Sequence, residues 1–282
     1  MIDIAKIRRE KQIAELLKFS IINIDKPSGP TSFSVSQFVK NALKINKTSH
    51  FGTLDPIVSG VLPVALGRAC RLNDYFIHKD KTYVGIVRLH ADIDDKKLKE
   101  EIKNFIGKIK QLPPLRSRVK RVERIREVKR FEVLEREGKD ILFLAEVEAG
   151  TYIRKLCDDL GKKIGGAHML ELRRIKAGIF DEKNSVNLYD FEKAVDEYKK
   201  GNEEMLRKIL IPAEIISDIL PVVQANPSNI KKLLTGKPLM KNDIETSLKY
   251  DKFVLFLKEK FIGVYRKTNE SDIIARPEFV LN

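Results

Sequence analysis

Asp55 is the residue whose setting most favours chemistry. It lies in the run His50-Phe51-Gly52-Thr53-Leu54-Asp55-Pro56. Gly52 permits a tight bend, and Pro56 biases the residue before it towards extended backbone. A loop carboxylate held at a fixed angle suits a nucleophile, which must be exposed to reach its target. An aspartate capping its own turn would satisfy the same pattern. Arg154 sits near the start of a helical run. A guanidinium there could pair with a carboxylate and keep it ionised, bind phosphate, or face solvent. Tyr83 opens the strand-like run TYVGIVRLH. Its ring could stack on a base or fill a strand edge. His50 could contact a substrate or serve only its loop.

Other chemistries find little support. Cys70 and Cys157 are the only cysteines, too few for a zinc site or a disulfide framework. His50, His78, His90 and His168 are scattered along the chain. Neither a metal nor an organic cofactor is expected. Gly165-Gly166 follows a helical run and reads as its stop, not as a phosphate loop. A pair of carboxylates working as a hydrolase stays open, because such pairs have no fixed spacing. It would leave the charge unexplained. The 282 residues hold 54 Lys plus Arg against 40 Asp plus Glu, a net +14. A surplus of that size points to a polyanion such as nucleic acid, although a merely basic soluble protein would also show it.

Hydrophobic residues make up 43% of the chain and are spread along it, enough for a real core and more than one domain. The N-terminus is interrupted by charges, and apolar runs such as Val61–Leu66 are short. No signal peptide or membrane span is expected, and the protein reads as soluble, intracellular and cytoplasmic.

The elements that must carry these residues follow from pattern. Residues 1–18 read as a charged helical arm. Ile21, Ile22 and Ile24 mark a strand that runs into the rigid turn Lys26-Pro27-Ser28-Gly29-Pro30. Ser32 is placed to cap a helix with the apolar face Val35, Phe38, Val39, Ala42 and Leu43. Residues 61–66 and 82–90 read as strands. Leu98, Ile102, Phe105 and Ile106 mark a helix face. From Arg116 to Arg130 there are eight Lys/Arg and two Glu. That run fits a helix or an irregular strand equally. It could follow a phosphate backbone through Arg116, Arg118, Lys120 and Arg121, or form a solvated face. A hairpin around Gly138 follows. Thr151 is placed to cap a helix with the face Ile153, Leu156, Leu160 and Ile164. Residues 181–205 are acidic and less patterned. A boundary near residue 218 leaves 219–282 as a small β-rich module with a short helix, a hairpin and a last strand at 273–280.

The stretch KTSHFGTLDPIVSGVLPVALGRACRL resembles the tRNA pseudouridine synthase B family, which includes the dyskerin-like synthases of H/ACA ribonucleoproteins. INIDKPSGPTS, KTYVGIVRLH, PPLRSRVKR, EAGTYIRKLCDDLG and GAHMLELRRIKAGIF are similar to further motifs of that family, in its order, from about Leu16 to Phe180. PPLRSRVKR and GAHMLELRR look more like the dyskerin-like branch than the bacterial one. The chain departs from the family pattern at Ser49, Phe51 and Ile57.

The resemblance implies an α+β fold: a mixed, largely antiparallel central sheet with flanking helices, and a PUA-like module at 219–282. The catalytic domain would span 19–218. It implies catalysis by Asp55, Tyr83 and Arg154, with Lys26, His50, Tyr152 and Leu172 at the substrate. The reaction would detach uracil from ribose, turn it and rejoin it through carbon 5, with no cofactor. Asp55 would attack the ribose or remove its 2′ proton. Implied partners are guide RNA, rRNA or tRNA, and small H/ACA proteins including a kink-turn binder. A stand-alone tRNA synthase and a non-catalytic RNA-binding scaffold are the alternatives.

Overall fold

The computed structural model describes residues 2–113, 120–244, 247–268, 270 and 272–282. The isoleucine-rich run becomes β1 (Phe19–Lys26), paired antiparallel with β3 (Ser59–Gly67). Both strands are buried along almost their whole length because both faces are covered. Ile22, Ile24, Leu62, Val64 and Leu66 pack under α3 (Ser32–Ala42) and α7 (Leu188–Lys199) through Val35, Val39, Phe191 and Val195. The alternate residues, Phe19, Ile21, Val61 and Ala65, face a second cluster on the opposite side.

The remaining strands are β2 (Thr48–His50), β4 (Lys81–Leu89), β5 (Gly107–Gln111), β6 (Arg124–Glu137), β7 (Asp140–Val147), β8 (Ala167–Ala177), β9 (Phe180–Asp181), β10 (Val186–Asn187) and β11 (Ile211–Pro212). They complete an eleven-stranded sheet in the order β10-β1-β3-β8-β4-β7-β6-β5, with β11, β2 and β9 pairing β1, β3 and β8. Within this sheet, among the described residues, only β1 with β10 and β3 with β8 run parallel. The sheet is therefore mixed and largely antiparallel, as expected. β4 and β7 alternate buried and half-buried residues, one face covered by α6 (Ile153–Lys163) and α5 (Asp95–Lys103).

A second sheet, β12-β14-β15-β16-β13, holds β12 (Val222–Gln224), β13 (Leu239–Met240), β14 (Lys252–Leu257), β15 (Lys260–Lys267) and β16 (Ile273–Val280). This is the small β-rich C-terminal domain. It shares a core with the first sheet: Val254, Phe256, Phe261 and Phe279 belong to the same cluster as Phe19, Ile21 and Val61. The arm residues form α1 (Ile4–Glu10) and α2 (Ile13–Lys18), and Arg207 donates to the carbonyls of Arg8 and Lys11. No helix among the described residues is long and apolar enough to cross a membrane.

Several local expectations need correction. Thr31, not Ser32, caps α3, accepting from the Ser34 N–H at 2.9 Å. Thr151 does not cap α6; Tyr152 holds the N-cap position, and the Thr151 hydroxyl is buried without a partner. α5 ends at Lys103, so Phe105 and Ile106 lie in the turn beyond it. Residues 181–205, less patterned in sequence, hold a regular helix: Asn187 caps α7, and Phe191, Ala194 and Val195 bury one face among the acids. The open question over the basic run resolves as strand from Arg124 onward, in β6.

Candidate active site

The loop between β2 and β3 carries Asp55, and hydrogen bonds tie its backbone down at several points. Phe51 N–H donates to the Pro63 carbonyl at 3.0 Å, and Val58 N–H to the Asp55 carbonyl at 3.0 Å. The spare hydroxyl of Ser32 takes both polar groups of Leu54, accepting from its N–H at 2.8 Å and donating to its carbonyl at 3.0 Å. Gly29 N–H and Lys26 Nζ both donate to the Pro56 carbonyl, at 2.8 and 3.0 Å. Gly52 makes the bend with φ of 103°, a conformation that glycine adopts without strain. The backbone is held, and the Asp55 side chain projects into solvent, 56% exposed.

Arg154 Nη2 meets Asp55 Oδ2 at 3.0 Å. Arg154 lies in the first turn of α6, where the helix dipole disfavours a cation. A local rule broken for one specific contact marks a functional position. Tyr83 and Leu172 are buried in one cluster with Leu54 and Val58, which places them behind the loop. Tyr152 is half-buried just before α6, its backbone held from both sides by the Gln111 amide. His50 Nε2 lies 3.2 Å from the Thr53 hydroxyl, within the same loop. Burial, then the Arg174 charge, hold the His50 pKa below its usual value. Lys26 is fully buried, and burial ahead of Arg174 lowers its pKa, against an opposing pull from Asp55.

The structure therefore brings Asp55, Arg154, Tyr83, Leu172, His50 and Lys26 onto one loop and its immediate surroundings. Lys120 and Arg121 are exposed on the connection between β5 and β6. Arg116 and Arg118 lie outside the described residues. The bulky Phe51 does not face the substrate side: it is 1% exposed and stacks on Phe76 with centroids 4.7 Å apart. The histidines are not all scattered. Strand pairing sets His90 Nε2 2.7 Å from His168 Nδ1, at the opposite end of β4 from Tyr83.

Sequence reasoning missed Arg174 and Lys81, which are 1% and 5% exposed. Arg174 donates to the carbonyls of Val61 at 2.8 Å and Gly52 at 3.0 Å. Lys81 donates to those of Ile77 and Lys79. Burial, then Arg174, push the Lys81 pKa down to about 8. Strand alternation carried the signal, since Lys81, Tyr83 and Val87 share the buried face of β4.

An exposed carboxylate with an arginine partner, on a loop held by hydrogen bonds in a protein of net charge +14, fits chemistry on a polyanionic substrate. Residues 40–153 match the TruB family pseudouridylate synthase (N terminal domain), and residues 154–216 the tRNA pseudouridylate synthase B C-terminal domain. The chain is 40% identical over 237 residues to the probable tRNA pseudouridine synthase B of Methanothermobacter thermautotrophicus, covering 83% of this chain and 73% of that one. It is 38% identical over 274 residues to the corresponding protein of Archaeoglobus fulgidus, covering 95% and 84%. Among solved structures, a chain of a Cbf5–Nop10–Gar1 complex superposes with a TM-score of 0.88 at 38% identity, covering 97% of this chain and 88% of that one. A chain of an H/ACA RNP bound to a substrate RNA containing 2′-deoxyuridine gives 0.87 at 35% identity, covering 98% and 89%. The chain belongs to the TruB family of pseudouridylate synthases, in its dyskerin-like branch. It is an RNA pseudouridine synthase.

Proposed function

We propose that this chain isomerises uridine to pseudouridine as the catalytic subunit of a guide-RNA-directed H/ACA ribonucleoprotein, with Asp55 as the reacting carboxylate. The observation that carries the site assignment is the 3.0 Å ion pair between two half-exposed groups, Asp55 and Arg154. The target base must first leave its stack to reach such a loop. Asp55 then attacks ribose C1′ or removes the 2′ proton, and the C1′–N1 bond breaks. Uracil rotates and C1′ bonds to carbon 5 as the Asp55–C1′ bond breaks or, on the other route, as Asp55 returns the 2′ proton; the carbon-5 proton then leaves, N1 gains a proton and the carboxylate is regenerated. Arg154 aims the Asp55 carboxylate through their ion pair. Tyr83 stacks on the base and assists removal of the carbon-5 proton. Leu172 and Tyr152 wall the pocket, while Lys26 and His50 hold the loop that contacts RNA. The C-terminal sheet binds RNA as a PUA-like domain of about residues 219–282, and the catalytic domain spans 19–218. RNA and small H/ACA proteins are the partners, and a cytoplasmic location goes with this reading.

The likeness to chains from H/ACA assemblies at TM-scores of 0.87 and 0.88 supports the guided reading. The names of the curated relatives favour a second one, a stand-alone tRNA synthase. Incubating the pure chain with tRNA, and the chain plus small H/ACA proteins with a guide–target pair, separates them when pseudouridine is mapped in each. Site-specific product only in the second mixture supports the guided reading. Robust tRNA modification by the chain alone supports the other.

A further inference from the structure

Arg174 is among the largest fully buried side chains in the molecule. Among the described residues no carboxylate pairs with it; it donates to the carbonyls of Gly52 and Val61, and its backbone pairs with that of Tyr83. Burying a guanidinium against neutral acceptors is costly, and the cost shows in the charges around it. Burial holds its own pKa below the usual range, and burial first, then its charge, lower those of Lys26, His50 and Lys81. A neutral side chain would fill this space with less strain on the fold.

What the guanidinium touches gives the reason. Gly52 is the bend that opens the Asp55 loop, Val61 lies in the strand that leaves it, and Tyr83 stands behind it. The backbone of Arg174 is fixed just as firmly. It pairs with Tyr83 of β4 on one side and Gly60 of β3 on the other. A Cβ at Gly60 would fall 2.2 Å from the Arg174 carbonyl oxygen, so only glycine allows β3 and β8 to approach here.

We propose that Arg174 is a positioning residue for the isomerisation: its buried guanidinium braces the Asp55 loop while its backbone, paired with Tyr83, ties that loop to the strand that carries the ring. The proposal rests on the roles given above to Asp55 and Tyr83. It concerns geometry at the reacting groups, so it acts on the rate at saturating RNA rather than on RNA affinity.

The test compares Arg174→Met and Arg174→Lys in the full chain, with the RNA and proteins that activity requires. Misplacement of a reacting group by about 1 Å costs about 100-fold. Arg174→Met should lower single-turnover tritium release from uracil carbon 5 by about that factor, with RNA affinity changed less than about threefold. Arg174→Lys keeps the charge and one carbonyl contact, and should recover about tenfold of the loss. The His50 imidazole, followed by NMR, should titrate at higher pH in Arg174→Met, because a repelling cation has gone. Rate and RNA affinity falling together, rate loss that only tracks the unfolded fraction, or no recovery with lysine would overturn the proposal. Should Arg174→Met not fold, Arg174→Lys decides: a wild-type rate overturns the brace, and an intermediate rate at unchanged affinity supports it. Asp55→Asn is measured alongside. Turnover in that folded variant would defeat the catalytic reading itself, whatever Arg174 shows.

Discussion

The Asp55–Arg154 pair and the buried cations beneath it solve the placement of charge in opposite ways. The pair is roughly half exposed on both sides. Water screens it, so it adds only about 0.2–1 kcal/mol to stability. Lys26, Lys81 and Arg174 are at most 5% exposed, and backbone carbonyls serve as their hydrogen-bond partners. The fold depends little on the reacting groups, which stay free to exchange partners with a substrate. The position of their loop depends on the buried cations, whose charge the fold holds at a cost. Under the proposed roles, charge that reacts and charge that positions lie in separate layers, and substitutions should separate them too.

The largest effect is expected at Asp55. Asp55→Asn keeps the shape but removes the nucleophile or base, and single-turnover product formation should fall at least about 10³-fold. The melting temperature should stay within about 2 °C, and RNA affinity should hold or rise slightly because a negative charge has left. Arg154→Ala comes next. It should lower turnover about 100-fold and RNA affinity about tenfold, again with little change in stability. A large loss of stability in either variant would break the separation.

The sequence motifs singled out the proposed reacting residues, because Asp55, Arg154 and Tyr83 sit in runs with strong local character. Asp55, Arg154 and Tyr83 were all legible, as were the mixed sheet and the hairpins. The buried layer was not. An arginine in GAHMLELRR reads as a surface cation until strand pairing sets it between Gly60 and Tyr83. Ser32 read as a helix cap because Thr31 beside it offers the same hydroxyl; only the folded loop shows which one caps and which holds Leu54. The shared core of Phe19 with Phe256, Phe261 and Phe279 is likewise a long-range fact, invisible to periodicity. It means that cutting at residue 218 would expose the first sheet's own core rather than free a module.

A smaller effect belongs to the connection between β5 and β6. Neutralising Lys120 and Arg121 together with Arg116 and Arg118 removes four cations that could each release about 0.7 counterion from single-stranded RNA. The slope of log affinity against log salt should flatten by up to about 3. Turnover at saturating RNA should change far less than in Asp55→Asn. An unchanged slope would remove this segment from the RNA interface.

The smallest effect sharpens the contrast from the buried side. Lys81 has an ordinary pKa of 10.5 when unfolded and about 8 in the fold, where burial opposes its charge. Below pH 8 both states hold the proton, and the cost of burying the cation is fully present, about 3 kcal/mol for that shift. Between pH 8 and 10.5 the unfolded chain still binds the proton while the folded chain has released it. Stability from this group therefore rises with pH across that window and is level beyond it. Lys81→Met has no proton to release. The stability of wild type minus that of Lys81→Met, from urea unfolding at pH 7.5, 9 and 10.5, should climb with pH at no more than about 1.4 kcal/mol per unit. Arg154→Ala, from the solvent-screened layer, should track wild type over the same range. Parallel pH profiles for wild type and Lys81→Met would show that the Lys81 ammonium is stabilised in place, and that burial beneath the loop costs the fold nothing there.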